Sequence, residues 1–62
     1  MLFKITRAEG EETTEETRPA ENRQEIEQQM ADENPGFSWT SSDSEDYLIG
    51  RKPGSIIIIK PE

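Results

Sequence analysis

Near its carboxyl end the chain places four isoleucines in a row, Ile56, Ile57, Ile58 and Ile59, between Pro53-Gly54-Ser55 and Lys60-Pro61. Side chains of a strand alternate between its two faces, so this run puts two branched aliphatic groups on each face. A strand apolar on both faces belongs inside a sheet or beneath a partner, not at an open edge. Residues 55–60 are therefore expected to form a central strand, and the lysines and prolines at its ends act against edge-to-edge stacking.

The pattern elsewhere is thinner. Residues 2–7 alternate, with Phe3 and Ile5 on one face and Leu2, Lys4 and Thr6 on the other, which predicts a first strand. Residues 9–17 hold only Glu and Thr around Gly10, nothing that reaches a core, and are expected to form a solvated loop extended by its own like charges. Residues 18–33 are the one helix candidate, with Thr17 as N-cap and Pro19 in the first turn, where its missing N–H costs nothing. Glu21 and Glu25 lie toward the positive end of the helix dipole, and Asn34-Pro35-Gly36 is a stop signal.

The apolar stripe of this helix is Ala20, Ile26, Met30 and Ala31 with the stem of Arg23; Glu21, Glu25, Gln28 and Asp32 fall opposite. So little apolar surface requires a sheet to dock on. Residues 37–41 alternate aromatic with small polar side chains, predicting a half-buried strand with Phe37 and Trp39 inward. Turn chemistry follows at 42–45, a third strand at 46–50, and a second turn that runs to Gly54.

The fold expected is a single α+β domain over residues 1–62, β-α-β-β-β, with one helix packed on a four-stranded mixed or antiparallel sheet. Short loops make the last three strands a meander. The first strand then lies beside the isoleucine strand, giving a spatial order 2-3-4-1 of the expected strands. One helix covers one face only. Either the sheet curls so that it partly closes on itself, or another molecule covers the second face.

Composition sharpens this picture. A chain of 62 residues buries only roughly 60% of its unfolded surface. It has no cysteine for a disulfide, and with no histidine either a zinc site would rest on carboxylates alone. Charged residues (34%) outnumber hydrophobic ones (29%) and the net charge is -7, an average that borders on disorder. The apolar residues gather toward the two ends, however, with the acids between, which favours a folded domain of about 3–5 kcal/mol. The amino-terminal residues lack the apolar core of a signal peptide, and no apolar run approaches a membrane span, so the expected compartment is the cytoplasm.

The parts for catalysis are missing: there is no His or Cys and no Gly-rich phosphate loop, and so short a chain cannot wall off a pocket that shifts carboxylate pKa values. The expectation is a non-enzymatic protein without metal or cofactor. Asp43, Glu45 and Asp46 lack the ligand spacing and the bend glycine of a calcium loop and read as an ordinary polar turn, though Ser42 with Glu45 downstream also suits an acid-directed kinase. Arg51 and Lys52 offset these nearby acids. Trp39 is expected in the core. Tyr47, with Leu48 taking the inward face, is the candidate interface anchor.

Fourteen acids face seven scattered bases, which argues against direct binding of nucleic acid or of an anionic membrane and permits a protein partner with a basic surface. Ten of the acids fall between Glu9 and Glu33. They form either a binding surface that imitates a phosphate backbone or a solvated face that keeps a small protein soluble. In size and charge the chain resembles the short acidic inhibitors and accessory proteins that phages and mobile elements encode; no motif accompanies the likeness, so it implies no residue roles. The leading expectation is a regulator or inhibitor of a nucleic-acid-handling protein. It would act through Glu21, Glu25 and Asp32 on the outer helix face, with Glu11, Glu12, Glu15 and Glu16 as a mobile extension. Affinity should then fall with salt. The alternative is an assembly component that docks through its sheet, as a weak homodimer or as a subunit of a larger complex, with Tyr47 and the isoleucine strand carrying the contact.

Overall fold

The computed structural model describes residues 1–41 and 47–62. The expected turn at 42–45 and the first residue of the expected strand 46–50 lie outside the described residues. The elements are β1 (Leu2–Glu9), β2 (Glu12–Pro19), α1 (Arg23–Glu33), β3 (Ser38–Ser41), β4 (Leu48–Lys52) and β5 (Ser55–Pro61). All strand pairs are antiparallel, in the order β2-β1-β5-β4-β3. The architecture is α+β, one helix against a five-stranded sheet.

The isoleucine strand is central as expected, paired with β1 on one side and β4 on the other. The four expected strands keep the order foreseen for them. The count differs because residues 12–19, expected within an acidic loop and the start of the helix, form a fifth strand beside β1. Glu9 pairs with Glu12, so Gly10 and Glu11 make a two-residue turn. Gly10 has φ +60 and Glu11 has no positive φ, the pattern of a type II′ hairpin with Gly first. Thr13, Thr14 and Thr17 suit an extended backbone, and Pro19 ends the strand on the outer edge of the sheet, where no N–H is needed.

The helix is shorter than expected, beginning at Arg23 and not at residue 18. Asn22, in extended backbone, caps it: its Oδ1 accepts the Glu25 N–H at 2.9 Å. Thr17 and Pro19 therefore belong to β2 and have no part in the helix. The end falls where the stop signal lies. The Asn34 N–H donates to the Met30 carbonyl at 2.9 Å, and its side-chain Nδ2 donates to the same oxygen at 2.8 Å. Other boundaries move less: the first strand extends to Glu9, the aromatic strand begins at Ser38, and the strand after the described gap covers Leu48–Lys52.

The core lies between α1 and the facing side of the sheet. Phe3 and Ile5 of β1, Leu48 of β4 and Ile57 and Ile59 of β5 meet Ala20, Ile26 and Met30, with Phe37 and Trp39 packed at the margin. β1 and β5 each contribute alternate residues, as a sheet with one covered face requires, whereas β2 adds none to the buried cluster. The sheet does not close on itself: β2 and β3 are its two ends. No described element covers the face opposite the helix, and on it Ile49, Ile56 and Ile58 are partly exposed.

Candidate interaction surfaces

Antiparallel register sorts every charge of the strands to one side of the sheet or the other. Ile5 stands opposite Glu16 and Phe3 opposite Arg18, so the even positions of β2 share the side of the helix. Glu9, Glu12 and Glu16 thus join Glu21, Glu25, Glu27, Asp32 and Glu33 on the helix side, against Arg7, Arg18, Arg23 and Lys52. Among the described residues the open side is nearly balanced: Lys4, Arg51 and Lys60 against Glu15 and Glu62, which border one depression together with Lys4.

Several of the acids on the helix side are already engaged. Arg18 donates from Nη1 and Nη2 to the two carboxylate oxygens of Glu33 at 2.6 and 3.2 Å, and from Nη2 to Glu16 at 3.4 Å. Its Nη1 also lies 3.4 Å from the Met30 sulfur. This fork ties the end of α1 to the edge strand. The hydrogen bond to Glu33, with Glu16 beside it, raises the Arg18 guanidinium above its ordinary value against an opposing pull from burial. Glu25 completes the amino-terminal cap, accepting from the Glu21 N–H and from Gln29, each at 3.4 Å. On the open side Glu15 pairs with Lys4 at 3.5 Å.

The expected site residues therefore do not act as one group. Glu25 and Asp32 are exposed on the helix, whereas Glu21, expected on the same helix face, lies before the Asn22 cap in an exposed bend. Glu12 and Glu16 project on the same side from β2, Glu11 sits in the hairpin turn, and Glu15 points to the opposite side of the sheet. The expected mobile extension is a correction: Glu12, Glu15 and Glu16 lie on backbone paired to β1, and Glu11 sits in the turn that joins the two strands. Tyr47 is partly exposed, with Lys60 Nζ 5.7 Å above its ring, beside the row formed by Lys4 and Lys60.

Sequence reasoning gave no role to Arg7, and to Asn34 only that of ending the helix. Arg7 donates from Nη2 to Asn34 Oδ1 at 2.6 Å, so β1 is tied to the carboxyl end of the helix. A cation at this end complements the helix dipole, which has no basic residue in its own last turn. Two shallow depressions of about 210 and 320 Å³ flank Arg7, lined mainly by charged and polar side chains. Small-molecule sites are mostly apolar and enclosing, which these are not. Among the described residues no cluster of acids is arranged to hold a metal ion, and no helix is long and apolar enough to cross a membrane.

No protein-family model, no curated protein and no solved structure matches this chain.

Proposed function

We propose that this protein is a non-enzymatic binding protein whose helix side engages a basic surface on a protein partner. The observation that carries the reading is the sidedness of the charge. Of the four bases on the helix side, only Arg18 is ion-paired among the described residues, to Glu16 and Glu33; Arg7 donates to Asn34, Lys52 sits 5.0 Å above the Phe37 ring, and Arg23 borders the same depression as Glu27. Glu12, Glu21, Glu27 and Asp32 remain among the described residues without a neutralising ion pair. They are displayed on the helix, the bend that leads into it and an ordered hairpin, so little ordering entropy opposes binding.

A nucleic-acid-handling protein is the partner class this chemistry suits, since its basic groove accepts anions in place of phosphates. The eleven-residue helix is about 16 Å long. Its outward carboxylates are sparser than the roughly one charge per 1.7 Å of duplex DNA. Occupation of a basic patch therefore fits better than imitation of a long duplex, and the protein would act as a regulator or inhibitor by blocking that patch.

The test immobilises the chain, captures proteins from its native host at low salt, and challenges the complex with duplex DNA or with high salt. Release of the captured protein by both is the expected result. A complex that withstands both would overturn the reading.

A further inference from the structure

We propose that the open face of the sheet is a self-association surface on which a second copy of this chain packs face to face. Register places Ile56 and Ile58 of β5, Ile49 of β4 and Ala8 and Leu2 of β1 on this face, with Leu2 49% exposed. An antiparallel sheet with one solvated face alternates apolar-in and polar-out. The central strand breaks that rule with two isoleucines on the side that no described element covers.

Charge selects the occupant. Two copies of a chain with net charge -7 repel each other, and most strongly through their helix sides. The open side, among the described residues, is close to neutral and carries both signs. A twofold axis running along β5 in the contact plane lays the β1–β2 half of one copy over the β4–β3 half of the other. The first half bears Glu15, itself beside Lys4, and the second bears Arg51, so these opposite charges lie toward each other across the two rims, while Lys60 of each copy meets its counterpart at one end of the axis. An anionic partner such as nucleic acid is a poorer fit, because Lys4 already pairs with Glu15 and Lys60 lies over Tyr47. Edge pairing is disfavoured on the β2 side by its glutamates and Pro19.

The area sets the strength. Five strands about 4.8 Å apart and about 20 Å long offer roughly 500 Å² per copy. Two such faces bury about 1,000 Å², at the lower bound for specific association. The dimer is therefore weak, forming in the micromolar range or above. It would turn two acidic helix sides outward in opposite directions, although its existence does not depend on what those sides bind.

Sedimentation of the whole chain from micromolar to millimolar concentration tests this, at low and high salt. The expected result is a mass that rises toward twice the monomer's and persists in high salt. Ile58→Thr, which keeps a β-branched side chain, should weaken association at least tenfold, with circular dichroism confirming the fold. Arg51→Glu alters an exposed side chain and keeps the test decisive should Ile58→Thr not fold; it too should weaken association, whereas Glu21→Gln on the helix side should not. A monomer at every concentration would overturn the proposal and leave the face to a different protein. A dimer indifferent to both Ile58→Thr and Arg51→Glu would overturn it as well.

Discussion

The six-membered ring of Trp39 rests on the α-carbon of Gly50, its partner across the β3–β4 pair: a Cβ on Gly50 would lie 2.7 Å from Trp39 Cζ3 and 2.8 Å from Cε3 and Cη2. The ring closes the margin of the core where the helix does not reach, with Phe37 6.0 Å away between ring centroids. A side chain at Gly50 would force the indole out. Elsewhere Gly→Ala in a permitted backbone conformation stabilises by about 0.4–1 kcal/mol through the unfolded chain. Here the overpacking cost of about 1–3 kcal/mol wins. Gly50→Ala should therefore lower stability, and denaturant titration followed by Trp39 fluorescence reads it directly. An unchanged or raised midpoint would mean that the indole does not pack there.

The cap is a second point of decision. Asn22→Ala removes the acceptor of the Glu25 N–H and should cost about 1 kcal/mol. Thr17→Ala should cost far less, since Thr17 lies in an exposed strand. Thermal unfolding of the two variants distinguishes a helix that starts at Arg23 from one that starts at residue 18, for which the ranking would be reversed.

Arg18 joins β2 to the end of α1, and its partners Glu33 and Glu16 are about half exposed. Solvent screening limits this fork to about 1 kcal/mol. Arg18→Ala should lose that much at low salt and less at high salt. The sign of the pH effect follows from the raised pKa of Arg18. Its stabilisation is complete below the ordinary arginine value and is lost only as pH rises past the raised one. The difference in stability between wild type and Arg18→Ala should thus stay flat between about pH 7 and pH 10. A slope within that window would implicate another group.

β2 contributes almost nothing to the core; only Arg18 along it is partly buried. Its amides should exchange with solvent sooner than those of β1 and β5, yet more slowly than those of a loop. Gly10→Val forces a β-branched residue to φ +60, costing about 1–2 kcal/mol, and should release β2 selectively. Hydrogen exchange resolved by residue checks both. Protection absent from residues 12–18 in the wild type would return them to a solvated loop.

This hairpin is also where sequence reasoning fell short. The aliphatic strand declares itself because four isoleucines satisfy no other position, and its neighbours follow from Phe3, Ile5 and Leu48. The helix face shows in the spacing of Ile26 and Met30. β2 has no apolar residue to betray it. Its pairing is a tertiary effect, in which β1 offers an edge and Gly10 a turn, and like-charge repulsion along the run is too weak to prevent it. The legible signals were Gly10 between two glutamates and the three threonines. Pro19 fits a helix's first turn and a strand's outer end equally well, so the helix start hinged on Asn22, three residues before Glu25. The individual acids were visible as a group, but their division between the two sides of the sheet depends on register, which only the paired hairpin supplies.

The most direct test of a binding function seated on the helix side removes equal charge from opposite sides of the molecule. Glu21→Gln/Asp32→Asn and Glu15→Gln/Glu62→Gln each take away two negative charges. Each is immobilised and compared with wild type for retention of host proteins that duplex DNA can displace, at low salt. Loss of retention in the first variant alone is the expected result. Equal retention by both variants, or equal loss from both, would contradict a sided surface and leave only net charge.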